Sequence, residues 1–206
     1  KNMAEAGKAP RSIHYALAVI RQVFNFSRNH SIYTGENPVS KVKKPTNDNR
    51  SLRFLSHEEA NLLLQALAAR STKAYEMALL SLQCGLRVSE IFHLTWGDID
   101  LNRNTLTLRD PKGKVTGFSI MTKDIRTLFQ SKIKGSWDEL VFPGQSGVVI
   151  KSITSTFAKV VQELGFNKGV SDRRQKICFH SLRHTFASWH VEAGDGFIHF
   201  GKTYAS

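Results

Sequence analysis

Along much of the chain apolar residues recur every three to four positions, the spacing of an amphipathic helix. Pro10 opens one such run, with Ile13, Leu17, Ile20, Val23 and Phe24 on one side. Ser56 and Glu59 form a capping-box pattern ahead of a second run to Ala69, which directs Leu62, Leu63 and Leu67 inward. A third runs from Thr72 to Gln83 and stops at Gly85, a residue suited to a helix C-cap. Thr122 caps a short helix to Ser131, and Ser152 to Leu164 forms another with Ile153, Phe157, Val160, Val161 and Leu164 inward. The final run starts with Ser181 as N-cap and buries Leu182, Phe186 and Trp189. Two stretches alternate instead. Thr105–Arg109 and Val115–Met121 flank Asp110-Pro111-Lys112-Gly113-Lys114 and predict a β-hairpin with a lysine at its tip. Leu140 to Pro143 adds a brief buried segment. The pattern predicts a mostly α protein with a small antiparallel β-sheet, an α+β arrangement preceded by a helical fragment.

Breaks in the pattern divide the chain. Gly35, Asn37 and Pro38 close the first helical segment, and Ser40 to Arg50 is polar, basic and Pro-containing, as linkers are. The predicted organisation is a helical fragment at 1–39, a basic linker at 40–51 and a larger domain at 52–206. Fifty residues are too few for a core of their own, so the first helix is expected to belong to a helical domain that begins upstream. No apolar run reaches membrane-spanning length and no signal peptide opens the chain, so the expectation is a soluble, cytoplasmic protein with no membrane partner. Cys84 and Cys178 lack metal-ligand spacing and are expected to be buried, reduced thiols. No metal or cofactor site is predicted.

Charge adds the first functional signal. The formal net charge is +12 over 206 residues, and residues 1–50 hold 9 Lys/Arg against 3 Asp/Glu, half of that excess. A surface this basic favours a polyanion, and nucleic acid is the commonest inside a cell.

Candidate chemistry sits at two helix starts. His180 and Arg183 are three positions apart and project from one side of a first helical turn, where backbone N–H groups also point outward. Such a turn suits a phosphate; a capped, salt-bridged helix fits the same residues. Arg87 stands at the junction of two helices with Glu90 placed to orient it. That pair reads either as a simple ion pair or as a guanidinium aimed at a phosphate. Lys112 and Lys114 in the hairpin turn are compatible with plain solvation.

Together these pieces resemble the tyrosine recombinase, or phage integrase, family. The matching stretches are Gly85-Leu86-Arg87-Val88-Ser89-Glu90 with Leu94-Thr95-Trp96 and Asp98-Ile99, the hairpin Lys112, and His180-Ser181-Leu182-Arg183-His184-Thr185-Phe186-Ala187. The resemblance covers about residues 10–193. It implies the end of a core-binding domain followed by a mostly helical catalytic domain. It also implies double-stranded DNA as partner, an oligomer on that DNA, and integration or recombination by a mobile element or phage. Members of the family cut one strand by tyrosine attack on a phosphodiester and hold the energy in a 3′-phosphotyrosine link, without ATP or metal. By resemblance Arg87 and Arg183 clamp the phosphoryl oxygens, Lys112 (or Lys114) protonates the leaving 5′-oxygen, and His180 assists proton transfer at the nucleophile. His184 supports, and Tyr204 is the nucleophile.

The C-terminal stretch departs from the family pattern. No Leu-Gly-His segment follows Ala193, and Tyr204 lies 21 positions after Arg183, closer than the family spacing. Either a helix has been lost by deletion, or the reading is altered after Gly194 and the Tyr204 match is chance. That leaves two expectations: a recombinase working through a 3′-phosphotyrosine intermediate, with a catalytic defect if the C-terminal region is truncated, or a non-catalytic DNA-binding protein that retains the phosphate clamp. An unrelated phosphodiester hydrolase has no metal cluster or alternative nucleophile to support it.

Overall fold

The structure is a computed structural model that describes residues 3–45, 52–110, 114–153 and 155–194. It divides into two compact units, Lys1–Arg50 and Ser51–Ser206.

In the first unit Pro10, whose fixed φ suits a first helical turn, opens α1 (Pro10–Asn29). The return segment folds back along it through Asn37. That buried amide donates to the Arg21 carbonyl at 3.1 Å and to Asn25 Oδ1 at 2.9 Å, and its Oδ1 accepts from the Val39 N–H at 3.0 Å. Phe24 packs edge-on to Tyr33, and His14 Nε2 lies 2.7 Å from the Pro45 carbonyl oxygen. No residue of α1 is buried. Ile13, Leu17 and Phe24 are half-buried, but Ile20 and Val23 are exposed, contrary to the expected inward face. One short return segment covers only part of a twenty-residue helix.

The second unit is built around α3 (Thr72–Cys84), whose buried residues run almost all round the helix. Against it lie α2 (His57–Ala68) and α7 (Phe179–Glu192). α2 starts with the predicted capping box: Ser56 Oγ accepts from the Glu59 N–H and Glu59 Oε2 from the Ser56 N–H, each at 3.1 Å. Leu63 and Leu67 are buried, but Leu62 is exposed, because the stripe facing α3 is narrower than its three leucines. The short α4 (Val88–Phe92), α5 (Lys123–Ser131), capped by Thr122, and α6 (Ser155–Glu163) complete the helical part. Ile125, Phe129, Phe157, Val160 and Val161 bring these helices into one core with α3 and α7.

The sheet is a three-stranded antiparallel meander, β1 (Ile99–Asp100), β2 (Thr105–Arg109) and β3 (Val115–Ile120), in that order. The hairpin was legible in the alternation; β1, two residues long, is too short to show any. Leu106 and Leu108 point into the core while β3 turns Ser119 inward. Leu108 pairs with Gly117 but Arg109 with Val115, so β3 carries a bulge beside the hairpin turn. The mostly α fold with a small antiparallel sheet is thus as the pattern predicted. Among the described residues no helix is long and apolar enough to cross a membrane.

Candidate active site

The site begins at the end of α3. Gly85 takes the left-handed conformation, φ 65°, that ends the helix. A side chain there would also strike Phe186 of α7, whose Cδ1 lies 2.5 Å from the position of a Cβ. Buried Leu86 follows, its carbonyl held by Ser81 Oγ at 3.0 Å. The chain then emerges at Arg87, the residue that precedes α4. Glu90, on the first turn of α4, is buried; its Oε2 accepts the Arg87 N–H at 2.6 Å and its Oε1 accepts Arg87 Nη1 at 2.8 Å. The guanidinium of Arg87 is about half exposed, at 54%.

The other half comes from α7. The helix starts at Phe179, three residues earlier than a Ser181 cap requires. Phe179 is buried edge-on to Phe157, and this packing draws the helix start back. Ser181 therefore sits inside the first turn, fully buried, where its hydroxyl accepts the Cys178 N–H at 3.0 Å. Cys178 is exposed, not buried as expected, because the chain turns outward there to begin α7. Cys84 is buried, and that burial pushes its thiol pKa up to about 11, so it stays protonated. Further along α7, Thr185 accepts the Leu55 N–H at 2.9 Å and donates to the Ser181 carbonyl at 2.9 Å. Trp189 donates to the Leu55 carbonyl at 3.2 Å under the stacked ring of His57. These contacts fix the helix along its length.

So held, α7 places Arg183 against the α3–α4 junction. Its Nη1 donates to the Gly85 carbonyl and lies 3.9 Å from Glu90 Oε2. One buried carboxylate thus serves both guanidiniums, which come from positions 96 residues apart. Burial first, and then the charge of Arg87, lower the Arg183 pKa, while Glu90 opposes the shift. A guanidinium remains a cation throughout. His180, one turn before Arg183, is exposed and lies edge-on to His184 at 4.6 Å. Partial desolvation, followed by the positive charges of His184, Arg183 and Arg87, holds the His180 pKa below the ordinary 6.5. The neutral imidazole that results at neutral pH can accept a proton. Two oriented cations beside a neutral base form a receptor for a tetrahedral anion.

The sequence match follows this geometry. The phage integrase family pattern matches residues 53–196. The chain belongs to the phage integrase family. Among curated relatives it is 28% identical over 186 residues to a tyrosine recombinase of Pseudothermotoga lettingae, covering 89% of this chain and 62% of that protein. It is 29% identical over 168 residues to the integrase of Salmonella phage P22, covering 76% of this chain and 41% of that one. The chain therefore spans less than two thirds of the length of these relatives. Its fold is similar to that of the Tn1549 transposon integrase in complex with circular intermediate DNA. The TM-score is 0.68 at 18% identity, over 95% of this chain and 71% of that one. It is also similar to a lambda integrase dimer bound to a core site, with a TM-score of 0.66 at 17% identity over 92% of this chain and 54% of that one.

Of the integrase-family residues picked out in the sequence, Arg87, His180 and Arg183 are brought together. Lys112 and Tyr204 lie outside the described residues. Lys114 is exposed at the hairpin base, where its N–H donates to Asp110 Oδ1 at 3.0 Å. Sequence reasoning paired Glu90 with Arg87 but missed its approach to Arg183 and the role of the Gly85 carbonyl. No spacing rule links groups that far apart. Among the described residues no group of three or more His, Cys, Asp or Glu side chains is placed to hold a metal ion.

Proposed function

We propose that this chain is the DNA-cutting and rejoining part of a site-specific recombinase that works through a 3′-phosphotyrosine intermediate, on double-stranded DNA in the cytoplasm and as an oligomer. The observation that carries the reading is the buried Glu90 carboxylate holding Arg87 and orienting Arg183 beside neutral His180. The arginines grip the non-bridging oxygens of one phosphodiester and stabilise the charge that grows on them in the transition state. Each preorganised donor of this kind contributes roughly 10²–10³ in rate. The phenol oxygen of Tyr204 forms a bond to phosphorus as the bond to the 5′-oxygen breaks. The phenol proton passes to His180, and the leaving oxygen takes a proton from Lys112. Reversal by a 5′-hydroxyl of a second strand completes the exchange.

The test is a nicked suicide DNA duplex whose cleaved end diffuses away, followed by denaturing electrophoresis. A covalent protein–DNA adduct that is lost in Tyr204→Phe and falls roughly 10²–10³-fold in Arg183→Ala is expected. Binding to the duplex without any adduct would instead favour a DNA-binding protein that retains the clamp. That second reading draws on the short interval between Arg183 and Tyr204.

A further inference from the structure

We infer that Asp98 and Arg109, which the proposed mechanism does not use, act as positioning residues for the β2–β3 hairpin and, through it, for the lysine that protonates the leaving group. The inference rests on the recombinase reading above.

Asp98 is almost fully buried, at 2%, in the turn between α4 and β1. Its Oδ2 accepts the Thr95 N–H at 3.1 Å and the Thr95 hydroxyl at 2.8 Å. Oδ1 accepts Arg109 Nε at 2.6 Å. Both carboxylate oxygens are therefore occupied, and the ion pair is well shielded from water, since Arg109 itself is only 32% exposed. Burying a carboxylate carries a desolvation cost that is not needed merely to close a three-residue turn.

What the pair holds is informative. Arg109 is the last residue of β2, at the bulge where the ladder slips by one residue. A bulge bends its strand and re-aims whatever follows. Immediately beyond it the hairpin base closes with the Asp110 N–H donating to the Lys114 carbonyl at 2.9 Å. The Asp98 pin therefore acts where the connection between β2 and β3, which in sequence includes Lys112 and Lys114, leaves the sheet. The opposite strand is pinned as well: buried Ser119 donates to the Cys84 carbonyl at 2.8 Å. Cys84 directly precedes Gly85, whose own carbonyl takes Arg183. Both strands are thus tied to the stretch that carries Arg87, one at Cys84 before it and one at Asp98 after it. A plain two-stranded hairpin on a small sheet would have no such fixed aim.

Positioning of an acid can be told from general stability by changing the leaving group. A 5′-oxygen must take a proton as its bond to phosphorus breaks; a 5′-bridging sulfur leaves as a thiolate and needs none. Asp98→Asn and Arg109→Met are compared with the unmodified chain on suicide duplexes that carry oxygen or sulfur at that position. The lysine variants Lys112→Ala and Lys114→Ala serve as references. About a 10²-fold loss is expected on oxygen, as for a misplaced catalytic group, with cleavage restored on sulfur. Arg109→Met keeps a side chain of similar length at a partly exposed position and serves if Asp98→Asn does not fold. Equal losses on both substrates, or no loss on oxygen, would overturn the inference. Cleavage of neither substrate by the unmodified chain would count against the recombinase reading alone. The pin would then stand or fall on hydrogen exchange in Arg109→Met. Faster exchange at 105–109 and 115–120, with α3 unchanged, would uphold it, and unchanged exchange in the hairpin would overturn it.

Discussion

His180 shows how position decides the chemistry of a residue. As an exposed side chain it would titrate near 6.5, but partial desolvation and three neighbouring positive groups lower that value. Its folded pKa therefore lies below its unfolded one. The stability linked to this group is present above pH 6.5 and is lost as pH falls through the folded value. The same ordering keeps the imidazole neutral, and so able to accept a proton, at neutral pH. Removing one repelling charge should raise the value: in Arg87→Ala the His180 titration, followed by NMR of the ring protons, moves upward towards 6.5. A downward or absent movement would show that the two side chains do not share one electrostatic site. Glu90 cannot be treated as a private partner of Arg87, since its second oxygen also faces Arg183.

At the scale of elements, the decisive feature is the α3–α4 junction. Three demands meet at Gly85: a left-handed backbone, a close approach of Phe186, and a carbonyl free to accept Arg183. Gly85→Ala is expected to lower stability by about 2–4 kcal/mol, from left-handed backbone strain together with displacement of the Phe186 ring. Urea denaturation would measure this. Because Phe186 and Arg183 share α7, the same change should also reduce duplex binding by the folded fraction. Full retention of both properties would mean that the junction is more plastic than its packing implies. Capping behaved more simply: Ser56 and Thr122 begin α2 and α5 as their sequence signatures require, because a cap is satisfied within four residues.

For the whole molecule, charge is the property that matters. The net +12 is shared equally between residues 1–50 and the remainder, although the first stretch is a quarter of the chain. The second unit has its own core, from Leu55 to Leu182, and can be tested without the first. Duplex binding should weaken with salt at a slope of about −0.9 for each phosphate neutralised. Deleting residues 1–50 should lower both the affinity and the steepness of that slope. A fluorescence titration at several salt concentrations gives both quantities, and an affinity indifferent to salt would remove DNA as the partner.

The linear chain determined what depends on near neighbours. The caps of α2 and α5, the stop at Gly85, the hairpin alternation and the Arg87–Glu90 pair all act over a few residues, and each was legible. The residues of the candidate site were legible too: Arg87, His180 and Arg183, picked out in the sequence, lie together in the structure. Tertiary structure decided what depends on which surfaces meet. It left Ile20, Val23 and Leu62 exposed, since periodicity marks an apolar face but does not say how much of it is covered. Packing of Phe179 on Phe157 moved the start of α7 and turned Ser181 from a cap into a buried acceptor. It also gave Glu90 its second guanidinium and Asp98 its arginine across the sheet. Contacts between distant segments arise only when the core closes, because the spacing of residues along a chain carries no record of which helices will pack together.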